Sequence, residues 1–191
     1  MLKVLVIDEA QGRAGEICAG LALAGHQVTA VLPTTLDLAA QVAKFKPDVI
    51  LIETDSPSRD TLEHLAAMER DAPRPVIIFA HEGDDRTIRA SIRAGVAAYV
   101  VDGLEAARLK PIIDVAGARF EAHQEMRQEL AKAKSKLSER KLVEKAKGIL
   151  MKSRGMDEEA AFGALRKLAM DRGQPLGEVA KNVIDMASLL L

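Results

Sequence analysis

Four short apolar runs in the first half of the sequence restrict the fold more than any other feature. They are rich in Val, Ile and Leu and lie at residues 3–7, 48–52, 76–79 and 98–101. Runs of this length without polar alternation are typical of parallel strands that are buried on both faces. A weaker strand is predicted at residues 27–32. The sequence therefore predicts a sheet of five parallel strands.

Between these runs, apolar residues recur at the spacing of a helix. One such set extends from Ala14 to Ala22 and stops before Gly25, and another extends from Leu36 to Phe45 and stops before Pro47. The alternation of strand and helix predicts an α/β fold of the doubly wound, flavodoxin-like (βα)5 type. Ligands of such folds bind at the carboxyl ends of the strands.

Composition excludes several classes of protein. With 48% hydrophobic and 29% charged residues, a chain of 191 residues is expected to be soluble and globular. No apolar run approaches the roughly 18 residues of a membrane span, and Asp8 interrupts the first run too early for a signal peptide. A cytoplasmic protein is expected. The single cysteine, Cys18, excludes an internal disulfide and is predicted to be a small buried side chain.

The net charge of −1 conceals an uneven distribution of charge. Residues 132–181 contain 13 Lys or Arg against 7 Asp or Glu, a balance of +6, which leaves −7 for the rest of the chain. A basic surface gains affinity for nucleic acid by releasing counterions from the phosphates. The alternative is an ordinary solvated helix surface. Any polyanion should bind to the second half of the chain.

Residues 104–140 are dominated by helix-forming residues and predict one long helix. Every seventh position suggests the seam of a coiled coil: Leu109, Ala116, His123, Leu130 and Leu137. Packing against the sheet explains residues 112–120 equally well, but it does not explain Leu130 or Leu137. A homodimer that forms through this helix is therefore predicted, with residues 121–139 as the coiled-coil linker. His123 is interpreted as a register-setting or partly exposed polar residue.

The last fifty residues predict three helices with clear local boundaries. The first stops near Gly155, the second has Asp157 as its N-cap and ends at Gly173, and the third begins at Pro175. Their apolar positions predict a minimal core made of Ile149, Leu150, Phe162, Leu165, Leu168, Ala169, Val179, Ala180, Val183, Ile184 and Ala187.

The cations outside this predicted core form a candidate binding surface. They are Lys145, Lys147, Lys152, Arg154, Arg166, Lys167 and Arg172. Lysine is suited to phosphate, whereas the planar fork of arginine also binds base edges and stacks on unpaired bases. No aromatic platform for bases is predicted, because Phe162 is assigned to the core.

Three segments of this region together resemble the ANTAR domain, a three-helix module of bacterial antiterminators of the AmiR-NasR type. The segments are residues 145–151, 157–162 and 165–172. The resemblance extends over about residues 140–186, and the domain as a whole is expected at residues 124–185. ANTAR domains bind paired hairpin loops in leader transcripts. The resemblance therefore implies that the candidate surface binds RNA.

The first part of the chain resembles the receiver domain of bacterial response regulators over residues 1–120. Asp8 and Glu9 follow the first strand, and Glu53 precedes Pro57 by four residues. A working receiver requires an acidic pair for Mg²⁺, a phosphoaccepting Asp, a Ser or Thr hydroxyl and a Lys. The resemblance places Glu53, Ala80 and Asp102 at the last three positions.

These departures indicate a degenerate receiver that does not switch by phosphorylation. Ala80 has no hydroxyl to donate to a phosphoryl group, and Asp102 would repel that dianion. Glu53 either imitates a phosphorylated aspartate or occupies a site that is no longer used. Asp8, Glu9 and Glu53 would bind Mg²⁺ weakly at best and are otherwise solvated carboxylates. No cofactor is expected.

Residues 56–63 and 94–103 resemble segments of nitrate-assimilation antiterminators of the NasT type. This resemblance implies control of nitrate or nitrite assimilation genes and a separate sensor protein that sequesters the regulator. One alternative is a phosphorylation-controlled, DNA-binding response regulator, although the last helix has few polar residues beyond Lys181 and Asn182. Another is a docking protein without nucleic acid. No motif indicates an enzyme.

Overall fold

A computed structural model describes residues 1–102 and 105–190. The chain forms two compact units, Met1–Gln124 and Glu125–Leu191. Gly103, the last residue of the segment 94–103, and Leu104, the first residue of the predicted connector, lie outside the described residues. No helix in the described part of the chain has the length and apolarity needed to cross a membrane.

The first unit contains a parallel sheet with strand order β2-β1-β3-β4-β5. Its strands are β1 (Lys3–Asp8), β2 (Gln27–Leu32), β3 (Val49–Thr54), β4 (Val76–Ala80) and β5 (Ala98–Val101). The helices that follow them are α1 (Ala14–Leu23), α2 (Leu38–Phe45), α3 (Arg59–Asp71), α4 (Asp85–Arg93) and α5 (Ala106–Arg154). The predicted fold class and all five predicted strands are confirmed.

Alternation along the strands divides the core of this unit into two layers. Val4 and Val6 point to the face that α1 and α5 cover, whereas Leu5 and Ile7 point to the face covered by α2 and α3. Both layers are fully buried, as expected for a parallel sheet. Cys18 on α1 is only half-buried, so its predicted burial is wrong; the neighbouring Ile17 occupies the core position.

The predicted long helix is confirmed as α5, which contains 49 residues. Leu109 and Ala116 of the predicted seam are buried against the sheet, whereas Leu130 and Leu137 are 54% and 56% exposed. Gly20 of α1 permits the close approach of α5, because a Cβ there would lie 2.5 Å from Leu109 Cδ1. Sheet packing thus accounts for the first part of the seam, and the coiled coil beyond it stays a prediction.

The second unit contains the end of α5 together with α6 (Glu158–Arg172) and α7 (Leu176–Leu190). The predicted cap is confirmed, since Asp157 Oδ1 accepts a hydrogen bond of 2.8 Å from the Ala160 amide. Gly173 ends α6 with a positive φ of 61°, a conformation that glycine adopts without strain. The buried core of this unit consists of Val143, Ala146, Leu165, Ala169, Val179 and Ala180.

Candidate nucleic-acid interface

The receiver-like pocket lies at the carboxyl ends of β1 and β3, where Asp8 and Glu53 are paired in register. Glu53 is 1% exposed, so the interpretation as a solvated carboxylate is wrong for this residue. Its Oε1 lies 3.4 Å from Arg13 Nη1 and 3.4 Å from His81 Nε2. Burial raises the pKa of Glu53, and the nearby Arg13 and His81 oppose that rise.

The other two carboxylates of the pocket also have internal partners. Asp8 is buried rather than solvated, and its Oδ2 accepts a hydrogen bond of 2.9 Å from the Ala14 amide. Glu9 Oε1 accepts hydrogen bonds from the hydroxyls of Thr35, at 3.3 Å, and Thr61, at 3.1 Å. Within the described residues, no three His, Cys, Asp or Glu side chains form a group that could hold a metal ion. The three carboxylates thus do not gather around one Mg²⁺ site.

The positions that correspond to the hydroxyl and the Lys of a receiver are filled differently here. Ala80 is buried, and Asp102 is exposed with a φ of 49°. His81, the residue after Ala80, has its Nδ1 4.0 Å from Asp102 Oδ1. The cationic or potentially cationic partners of Glu53 are therefore Arg13 and His81. Sequence reasoning missed both, although each follows the carboxyl end of a strand, which is where ligands of this fold bind.

Six of the seven cations predicted to bind RNA are exposed: Lys145, Lys152, Arg154, Arg166, Lys167 and Arg172. In the part of the chain that the structure describes, none of these six forms an ion pair. They belong to the end of α5 and to α6. Their charges are consequently available to an external polyanion.

Lys147 differs from the other predicted cations because its side chain is buried. It is 7% exposed, and its Nζ is 2.7 Å from Glu158 Oε1 and 2.9 Å from Glu144 Oε1. The hydrogen bond with Glu158, followed by that with Glu144, raises the pKa of Lys147, and Lys147 in turn lowers the pKa of Glu158. The prediction of Lys147 on the exposed binding surface is wrong. This side chain joins the end of α5 to the first turn of α6.

Phe162 departs from its predicted place in the opposite direction. It is 41% exposed, because the adjacent Ala161 and the following Leu165 occupy the core-facing positions of α6. Phe162, Arg166 and Met170 succeed one another at intervals of four residues, so they lie on one exposed face of the helix. The surface therefore has an accessible aromatic ring among its cations.

Comparison with known proteins identifies the family. The model of the ANTAR domain matches residues 131–184, which include all six exposed cations and the whole of α6. The transcriptional regulatory protein PdtaR of Mycobacterium tuberculosis is 30% identical over 148 residues, which are 77% of this chain and 72% of that protein. The chain belongs to the ANTAR-domain response regulators. It is a regulator related to PdtaR throughout most of its length.

Two further matches agree with this ANTAR regulator's two-part organisation. The nitrate regulatory protein of Klebsiella oxytoca is 47% identical over 73 residues, which are 37% of this chain and 18% of that protein. The signal receiver domain of a modulated diguanylate cyclase from Desulfovibrio desulfuricans superposes with a TM-score of 0.56 at 18% identity. That match covers 64% of this chain and 98% of the solved domain, and it shows the receiver fold.

Proposed function

We propose that this ANTAR regulator binds paired hairpin loops in leader mRNA and promotes antitermination of transcription. Bound protein would stabilise an RNA structure that excludes the terminator and lets the polymerase continue. The observation that carries the proposal is the group of six exposed cations, which have no ion-pair partner among the described residues and lie within the segment that matches the ANTAR domain. No feature of the chain indicates enzymatic chemistry, and we place its action in the cytoplasm.

The six cations divide by the contacts that their chemistry allows. Lys145, Lys152 and Lys167 carry point charges suited to phosphates, whereas Arg154, Arg166 and Arg172 also fit base edges and unstacked bases. Unpaired loop bases are accessible to such contacts, unlike the bases in the deep major groove of an RNA duplex. Hairpin loops are consequently a better target for this surface than duplex RNA.

A homodimer would present two such surfaces to two hairpins. Met126, Leu130 and Leu137 are exposed on the part of α5 that follows the first unit, and an exposed apolar patch on a helix marks a site of protein interaction. Leu130 and Leu137 are seven residues apart, as in the seam of a two-stranded coiled coil. A second copy that pairs along residues 121–139 covers these side chains. Two linked surfaces gain avidity for RNA that carries two loops.

The receiver-like unit would act without phosphorylation. Glu53 is buried, and Arg13 and His81 face its carboxylate where a phosphoryl group and its metal would otherwise stand. Incubation with acetyl phosphate and Mg²⁺, followed by mass spectrometry of the intact protein, should therefore show no phosphorylated species. A phosphorylated peptide from the pocket would contradict this part of the proposal.

The match to a nitrate regulatory protein supports a target and a partner. We propose that the chain controls genes for nitrate or nitrite assimilation, and that a sensor protein of nitrate or nitrite sequesters it in the absence of the signal. A pull-down of the full-length protein with its cellular partners, in the presence and absence of nitrate, tests the sequestration. Capture that does not depend on nitrate or nitrite would oppose it.

The central experiment measures binding of the purified dimer to a two-hairpin leader RNA and to duplex DNA of the same sequence across a salt series. Lys145→Ala should reduce the slope of log affinity against log salt by about one, and Arg166→Ala should cost about 1–3 kcal/mol at one base. Arg93→Ala, which removes an exposed cation of α4, is the control and should change neither. Equal affinity for RNA and DNA would favour a DNA reader, and no binding to either would favour a docking protein.

A further inference from the structure

We propose that a groove on the exposed face of α6 holds one unpaired RNA base that carries an exocyclic amino group. This Phe162 groove has a volume of about 350 Å³ and is lined by Phe162, Arg166, Ala169, Met170, Gly173 and Gln174. The volume is at the small end of the roughly 300–1,000 Å³ typical of small-molecule sites. The inference rests on the proposed function, because it assigns a base-reading subsite to the same RNA-binding surface.

Stacking is the first interaction that the groove offers. The Phe162 ring is 41% exposed, and Met170 on the same helix face is 73% exposed. Bases stack on exposed aromatic faces, and the polarizable thioether of Met packs well against aromatic rings. Arg166 lies between these two residues along the helix face, where its planar guanidinium can stack on the base or bind its edge.

Selectivity between bases would come from Gln174. Its Nε2 donates a hydrogen bond of 3.4 Å to Glu178 Oε1, whereas its Oε1 is buried and has no hydrogen-bond partner within the described residues. A buried acceptor without a donor is unfavourable, so rotation of this amide toward a donor in the groove is favoured. Adenine, cytosine and guanine carry an exocyclic amino group that can donate to this acceptor. The one donor on the pairing edge of uracil, N3–H, lies between two carbonyl oxygens that repel the amide oxygen.

The surrounding charges orient the nucleotide. Glu159 lies beside Phe162 at the start of α6, and its carboxylate repels phosphate there, whereas the charge of the adjacent Glu158 is compensated by Lys147. At the other end of the helix, Lys167 and Arg172 are exposed cations that attract phosphate. The sugar-phosphate backbone therefore runs along the second half of α6, and the base points toward Phe162.

The first test uses fluorescence and depends on the absence of Trp from the chain. A pool of hairpin RNAs with randomised loops is used to select a bound sequence, and Phe162→Trp then provides the sole tryptophan of the full-length protein. Binding of the selected hairpin should quench its emission, because a stacked base contacts the indole. Met186→Trp, at an exposed position of α7, is the control and should not be quenched. Binding without quenching at position 162 overturns the base site.

The second test measures affinity and loop preference. Phe162→Leu should weaken RNA binding by about five- to hundredfold. Phe162→Tyr, which keeps the aromatic ring, should bind RNA with the affinity of the wild type. Gln174→Leu should remove discrimination against uracil at one loop position and leave the other positions unchanged. Thermal unfolding of each variant confirms that it is folded, and Met186→Leu is the matched control.

The outcomes separate the base site from the proposed function. RNA binding whose affinity and loop preference do not respond to the variants at Phe162 and Gln174 overturns the base site alone. Failure of the wild-type protein to bind any hairpin overturns the base site and the RNA-binding proposal together. If Phe162→Leu converts a dimer of the RNA-free protein into a monomer, measured as a lower mass in solution, then a second copy covers the groove. This result also overturns the inference.

Discussion

The two units of this regulator bury charges of opposite sign. In the receiver-like unit, Glu53 is buried and faces Arg13 and His81, and the neighbouring carboxylates accept hydrogen bonds from amides and hydroxyls. In the second unit, Glu125–Leu191, which contains most of the ANTAR match and is here called the ANTAR unit, the buried charge is Lys147, and two carboxylates contact it. Six other cations of this unit have no ion-pair partner among the described residues. A buried charge requires a partner within the protein, whereas an exposed charge is solvated by water and stays available to a ligand.

These two arrangements of charge predict where each unit can respond to a ligand. A pocket whose charged groups already face one another gains little from an added metal or phosphoryl group. A surface with unpaired cations gains affinity for any polyanion through counterion release. We therefore expect the second unit, with its exposed cations, to respond to a polyanion more strongly than the receiver-like pocket responds to a metal or a phosphoryl group.

The largest predicted effect concerns the two parts of α5. Leu109→Ala should lower the free energy of unfolding by about 2–5 kcal/mol, because Leu109 is buried against the sheet. The matched change Leu130→Ala, at an exposed position, should alter the stability of the monomer by about 0.5 kcal/mol or less, yet lower the fraction of dimer. Urea unfolding and sedimentation measure the two effects. Equal destabilisation by both changes would break the distinction between the two parts of the helix.

The next prediction separates a buried lysine from an exposed one. Lys145→Gln and Lys147→Gln remove the same charge, but of the two lysines only Lys147 has carboxylate partners among the residues that the structure describes. Lys147→Gln should lower the thermal midpoint and leave the salt slope of RNA binding unchanged. Lys145→Gln should reduce that slope by about one and leave the midpoint unchanged. A reduced slope for Lys147→Gln would show that RNA draws this lysine away from Glu144 and Glu158.

A smaller loss of stability is expected when a helix cap is removed, and each unit has a cap for which this can be tested. Asp157→Ala removes the cap of α6, and Ser58→Ala removes the cap of α3, whose Oγ accepts from the Thr61 amide at 3.0 Å. Each change should cost about 1 kcal/mol. Hydrogen exchange should increase in α6 for the first variant and in α3 for the second. Exchange that increases in both units for one variant would show that they unfold together.

The smallest effect is the pH dependence of stability due to Glu53. Because burial raises its pKa in the folded protein above the ordinary 4.5, its contribution to stability is complete below that pH and is lost as the pH rises through the folded value. Glu53→Gln should abolish this loss, so the variant should be more stable than the wild type at neutral pH and equally stable in acid. Urea midpoints across pH measure the difference. A less stable variant at neutral pH would mean that the contacts with Arg13 and His81 outweigh the burial of the carboxylate.

The fold and the helix boundaries could be predicted because they depend on local chemistry. The apolar runs located the strands, Asp157 capped α6 as predicted, and Gly173 ended that helix. Six of the candidate cations are also exposed, as the helical pattern indicated. These features follow from spacing and from side-chain to backbone hydrogen bonds within a few residues.

Tertiary structure alone decided which side chains of these helices are covered. The spacing of Lys147 does not reveal that Glu158 Oε1, eleven residues later in the chain, lies 2.7 Å from its Nζ. The sequence pattern predicts Phe162 in the core, whereas the structure buries its neighbour Ala161 instead. The contacts of Glu53 with Arg13 and His81 likewise join residues that are distant in sequence. The helices and strands, the cap of α6 and the charge of each half follow from the order of the amino acids. The packing of one element on another determined burial and partners, because periodicity describes a helix face but does not name its neighbour.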